Sequence, residues 1–308
     1  MAGAVPARPD PTEPDELVLA AGFPAVPRAD WVAMVDEVLR RSGRIGADAP
    51  AGAGVEKLVR QTLDGIAVQP LYTAEDAAGP PVGVPGAAPF VRGSRAGGPV
   101  PDGWDVRQRH AQPDPAEARA AMLADLDNGA TSLWLVVGDG GTAPADLPAV
   151  LDGVHLDMAP VVLDAGADGV AAAEAFLALA AQRGVAAEAL LGALGLDPIG
   201  VRARTGSGPD VDTVVELARR IAEEHPRMRA VVVDATVVTG AGGSDAQQLG
   251  FSLSAGVAYL RALVDAGLDV GKAAELIEFR YPAGVEQFPT IAALRAARRL
   301  WARVLEAC

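Results

Sequence analysis

Apolar and polar positions are patterned differently in the two parts of this 308-residue chain. In the first part Trp31, Val35, Val38 and Leu39 share one face of the run Trp31–Arg41, so the spacing predicts a helix there. Val55–Thr62 reads as a second short helix that ends before Gly65. Ile66–Tyr72 reads as extended, and Pro70 confines it to a sheet edge because proline has no N–H to donate. Residues 1–15 read as a loose tail and Gly43–Gly54 as a linker, and residues 78–103 carry the densest run of proline and glycine. That run separates an N-terminal arm and linker, residues 1–104, from a second region, residues 105–308.

In the second region strand-like apolar runs alternate with helical patterns. Asp114-Pro115-Ala116-Glu117 is a helix start: a capping carboxylate, proline in the first turn and an acid three residues after the cap. The helix runs to about Asn128, where Gly129 can stop it. Ser132–Gly138 is almost wholly apolar, as a strand covered on both faces should be. Strands then follow at Pro160–Ala165, weakly at Ala189–Leu196, and at Ala230–Ala235 and Leu276–Arg280. Helices follow them at Gly169–Gln182, Asp210–Glu224, Asp245–Ala266 and Val285–Ala307. Five strand–helix units of this kind build a parallel sheet with helices on its faces. Either an open doubly wound sheet or part of a (β/α)8 barrel fits, and five units do not close a barrel.

Composition narrows the choice of partner. Half the residues are apolar, enough for a core, and the formal charge is −14. That balance argues against nucleic acid, which needs clustered Lys and Arg, and against an anionic membrane surface. No run of about 18 uncharged apolar residues predicts a membrane span. Cys308 is the single cysteine, and the acidic, Pro-rich start does not resemble a signal peptide, so a cytoplasmic protein is expected.

Candidate chemistry is thin. His110, His155 and His225 have no second His or Cys at metal-ligand spacing, so no metal site is expected. Thr205-Gly206-Ser207-Gly208-Pro209 lacks the context of a nucleophile elbow and reads as a loop. Gly138-Asp139-Gly140-Gly141 follows one strand and Thr239–Asp245 follows another. The second contains Gly240, Gly242, Gly243 and Ser244 and opens a helix, where backbone N–H groups can hold a phosphate. The plainer reading, a flexible turn before a helix capped by Ser244 with Gln247, weighs more, because Asp245 adds a competing charge. Asp164 and Asp234 end their strands at the edge that hosts active sites in both architectures, but neither has a visible partner.

Specific segments do carry a resemblance. Thr62–Tyr72, Phe90-Val91-Arg92-Gly93 and Trp104-Asp105-Val106-Arg107-Gln108 resemble elements of the methylmalonyl-CoA mutase family. Ala230–Leu305 is similar almost without gaps, above all at Leu294–Ala302. Gly192–Pro198 resembles the small-subunit branch of that family. The resemblance spans roughly residues 20–308. It implies an incomplete TIM (β/α)8 barrel of about five units, entered by an extended N-terminal arm that in the family wraps a partner subunit.

The departures shape the functional expectation. Where the family's catalytic subunit carries a Tyr, this chain has Pro99, and where it carries a His after the strand at 230–235, this chain has Val237. Neither can donate the hydrogen bond that a rearrangement of this kind needs. The substrate-holding Arg has no clear counterpart, and the cobalamin motif Asp-x-His-x-x-Gly is absent, with Gly153 standing two before His155. The resemblance therefore implies a small, non-catalytic subunit that stabilises a catalytic large subunit. Adenosylcobalamin would act in the assembled enzyme, with none bound by this chain alone. An acyl-CoA-binding or acyl-CoA-transforming barrel acting alone, through Asp164, Asp234 and the loop Gly240–Ser244, is the alternative. A five-unit barrel would leave two sheet edges and one wall of its core uncovered.

Overall fold

The computed structural model describes residues 22–24, 26–77, 83–97 and 103–308. Pro99 and the tail expected over residues 1–15 lie outside them. The chain divides into two compact units between Ala78 and Gly79.

In the first unit, α1 (Arg28–Arg41) and α2 (Ala53–Leu58) are joined through Asp36. Its carboxylate, 2% exposed, accepts hydrogen bonds from the backbone N–H of Gly52 at 2.7 Å and Gly54 at 2.8 Å. Those two donors hold the Asp36 carboxyl below its ordinary range. The helix expected to reach Thr62 stops at Leu58. Arg60–Gln61 (β1) instead pairs antiparallel with Ala67–Val68 (β2), within the segment expected to be extended.

The second unit is a parallel sheet of six strands in sequence order, each followed by helix. Its first half runs β3 (Arg107–His110), α3 (Pro115–Asp127), β4 (Ser132–Val136), α4 (Leu147–Val150), β5 (Val161–Asp164) and α5 (Gly169–Gln182). The second half runs β6 (Gly192–Leu196), α6 (Pro198–Thr205), α7 (Val211–Glu224), β7 (Met228–Asp234), α8 (Thr236–Gly240), α9 (Asp245–Asp265), α10 (Val270–Glu275), β8 (Ile277–Arg280) and α11 (Gln287–Ala307). The incomplete barrel-like α/β architecture is thus present with one unit more than expected. The extra strand, β3, has the sequence Arg-Gln-Arg-His and no apolar run, because only its last residue is buried. Among the described residues β3 and β8 do not pair, and the sheet stays open.

Local chemistry sets the elements. Asp114 caps α3 by accepting from Ala116 and Glu117 N–H, and Ser244 caps α9 by accepting from Gln247 N–H, as the sequence predicts. Gly192 and Gly195, both within β6, stand at positive φ, and β5 passes close by them. A Cβ on either would lie 2.0 Å from the Val161 carbonyl oxygen or 1.9 Å from that of Leu163. These glycines weaken the strand signal that β6 gives in sequence.

Strand residues alternate in destination. Leu133, Leu135, Val161, Leu163, Leu194, Leu196, Val231 and Val233 join the core packed by the helices, together with Phe176 and Tyr259. Burying each aliphatic side chain there contributes about 1.5–3 kcal/mol. The alternate residues Trp134, Asp164, Asp234 and Arg280 turn to the other face, at the carboxyl ends of the strands.

Candidate functional site at the strand ends

A cleft of about 450 Å³ opens at the carboxyl ends of the strands, lined by Arg109, Trp134, Asp164, Arg204, Asp234 and Arg280 among others. Each is delivered by strand parity or by the first turns that follow a strand. Arg280, 16% exposed at its side chain, lies at the centre. Its guanidinium donates to Asp234 Oδ2 at 3.0 Å, sits 3.6 Å from Asp164 Oδ2 and stacks 4.2 Å from the centre of the Trp134 ring. The Trp134 indole N–H donates to Asp164 Oδ2 at 3.0 Å. Arg204, at the end of α6, donates to the same Asp234 oxygen at 3.1 Å. Arg109 approaches the Trp134 ring at 5.6 Å.

Asp234 is nearly enclosed, and burial alone would raise its pKa. The Thr236 hydroxyl and N–H, together with Arg280 and Arg204, outweigh that effect and hold the carboxyl below the ordinary value. Asp197, which caps α6, goes the other way. Burial raises its pKa, although it accepts from Tyr259 OH at 2.6 Å and from the N–H of Gly200 at 2.9 Å and Asp234 at 3.3 Å. Burial and the adjoining Asp197 also push the Tyr259 phenol up. Asp197 thus ties α6, α9 and the end of β7 together beneath the cleft.

Asp164 and Asp234, flagged in sequence, therefore share one cleft and have partners after all. What the sequence reading missed is the cationic half: Arg109, Arg204, Arg280 and the Trp134 plate. A signal was present. Glu278 and Arg280 are two charges at one parity inside the apolar strand Leu-Ile-Glu-Phe-Arg, which points to a polar inner face. Of the two Gly-rich loops, Gly138–Gly141 borders the cleft through Asp139, whereas Gly240–Ser244 lies elsewhere. Gly240 and Gly242 are exposed, and Gly243 fits closely against Val238. The Ser244 hydroxyl is engaged in the α9 cap, and none of the four lines the cleft. Residues 236–240 form the short helix α8, which takes in the first two residues of the loop expected at Thr239–Asp245, with Val237 half-buried in it.

Chemically, the cleft engages Asp164 and Asp234 with its own cations. A carboxylate held down by two guanidiniums is a poor general base at neutral pH. An imidazole ligand for cobalamin does not fit either. His110 is 2% exposed, turned toward α3 with Nε2 at 3.4 Å from Asp125. His155 and His225 sit in the segments leading into β5 and β7, at the opposite end of the sheet from the cleft.

Comparison with known proteins gives a consistent answer. A family profile described as methylmalonyl-CoA mutase matches residues 61–142 and 137–307. The chain is 51% identical over 293 residues to the methylmalonyl-CoA mutase small subunit of Streptomyces virginiae, covering 95% of this chain and 47% of that protein. It is 38% identical over 304 residues to the small subunit of Propionibacterium freudenreichii subsp. shermanii, covering 99% and 48%. Against the Streptomyces virginiae large subunit the identity is 27% over 322 residues, covering 95% and 42%. The chain spans about half the length of these curated relatives.

Proposed function

This chain belongs to the methylmalonyl-CoA mutase family, and from that premise we propose that it serves as a small, non-catalytic subunit stabilising a catalytic large subunit. The assembled enzyme would interconvert (R)-methylmalonyl-CoA and succinyl-CoA in the cytoplasm, within propionate metabolism. Adenosylcobalamin would supply the radical chemistry in the assembled enzyme, with none bound by this chain alone. The observation that carries the reading is the occupied cleft. Asp164 and Asp234 are both engaged by Arg280, with Trp134 and Arg204 completing the network. At the positions of the family's catalytic Tyr and His stand Pro99 and Val237, which carry no donor side chain. A strand-end cleft that spends its charges on one another supports a scaffold better than a reaction centre.

Co-expression with a large subunit, tagged on one chain only, tests the role. Stoichiometric co-purification is expected, and its failure would count decisively against a subunit role. Isothermal titration of this chain with CoA esters should be silent. Tight binding would instead favour a barrel that handles acyl-CoA on its own, with Gly240, Gly242, Gly243 and Ser244 as its substrate contacts.

A further inference from the structure

A second groove in the second unit lies away from the strand-end cleft. It has a volume of about 1130 Å³ and runs between the turn at residues 88–94 and the last three turns of α11. Its wall is apolar: Pro89, Phe90, Leu300, Trp301 and Leu305. Its rim is cationic. Arg298 and Arg299 are exposed and make no salt bridge among the described residues, and the same holds for Arg295 one turn earlier. Arg92 and Arg95, in and just beyond the turn, are also without a carboxylate partner. Of these, Arg298 and Arg299 line the groove itself, and two unpaired guanidiniums on one groove stand out in a chain of charge −14. Arg303 and Glu306 also line the groove and pair with each other, which leaves α11 with no further acid for Arg298 and Arg299.

The chemistry discriminates between occupants. A small-ligand site converges buried polar groups on one point. Here the guanidiniums stand on the rim and the floor is apolar. An apolar floor inside an arginine-rich rim is the anatomy of a protein interface, and rim cations set which partner is steered in. We infer that this groove docks an acidic segment of the partner subunit that carries apolar side chains. Its carboxylates would face Arg298 and Arg299, and its apolar side chains Phe90 and Leu300. The inference rests on the subunit reading above and adds the surface that serves it.

The test uses the full chain and the large subunit. Arg298→Glu/Arg299→Glu is compared with wild type and with Arg227→Glu/Arg261→Glu, which makes the same charge change at exposed positions off the groove. Circular dichroism checks that each variant folds. The groove variant should weaken the complex roughly 10- to 100-fold and flatten its salt dependence, while the off-groove variant stays near wild type. Equal weakening by both variants, or by neither, overturns the inference and leaves the subunit reading standing. Absence of binding by wild type overturns both. Two further outcomes also overturn it. One is a wild-type homodimer in light scattering that the groove variant abolishes, which would make a second copy the occupant. The other is binding of inorganic pyrophosphate by the chain alone, lost in the groove variant, which would make the groove an anion site.

Discussion

Arg280 carries more of the cleft than any other side chain, since it touches Asp234, Asp164 and Trp134 at once. Replacing it by Leu leaves the nearly enclosed Asp234 with Arg204 as its one remaining cation. Urea unfolding should show a loss of about 3 kcal/mol, as when one partner of a buried ion pair is removed. Arg280→Lys should recover only part of it, because an ammonium cannot both stack on Trp134 and reach two carboxylates. Asp234 supplies a pH signature. Its folded pKa lies below its unfolded one, so its stabilisation is present above the unfolded value and is lost as pH falls through the folded value. The gap in urea midpoint between wild type and Asp234→Asn should hold from pH 7 down to pH 5 and then close below about pH 4. A gap that persists undiminished to pH 2 would refute the assignment. The acidic residues of this site were legible in sequence because strand ends are recognisable. Arg204 was not, since it lies in α6, a short run between Asp197 and Gly206 for which the sequence pattern predicts no element.

Among the elements, β6 is the most constrained. It needs Gly195 at φ +65° while β5 passes 1.9 Å from where a Cβ would stand, and its pairing with β7 shifts register between Ala193 and Leu196. Gly195→Ala should therefore cost roughly 2 kcal/mol or more, combining backbone strain with a backbone clash. Gly250 on α9 is the contrasting case: helical, exposed and with open space around it. Gly250→Ala should stabilise by about 0.5–1 kcal/mol. Thermal unfolding of the two variants checks both signs. Long helices such as α9 and α11 were readable almost to their ends because their periodicity runs over many turns. Strands were readable where they form apolar runs, as β4, β5 and β7 do, and β8 was readable despite Glu278 and Arg280. β6, with two glycines, gives only a weak signal and β3 none.

For the second unit as a whole, the decisive feature is a six-stranded parallel sheet whose outer strands, β3 and β8, each have one neighbour. The sequence suggested five units because β3 hides its strand character. Arg107 bonds to Ser132 across the inner face, Arg109 leans over Trp134, and only His110 is buried. A polar inner face at both edges, with Glu278 on β8 pushed up by burial despite Arg107, Arg229 and Arg280, contrasts with the branched aliphatic filling usual inside a closed barrel. Edge strands hold half of their backbone donors out of the ladder, and local opening starts where fewest bonds must break. Hydrogen exchange on the isolated chain should therefore be graded, slowest in β5 and β6 and fastest among the six strands in β3 and β8. Adding the partner subunit should slow exchange along α11 if the groove is its docking surface, and should slow β5 and β6 as well where they exchange by global unfolding, because binding to the folded state makes that unfolding more costly. Uniform exchange across all six strands would show instead that the isolated sheet opens as one unit and that its edges are no weaker than its centre.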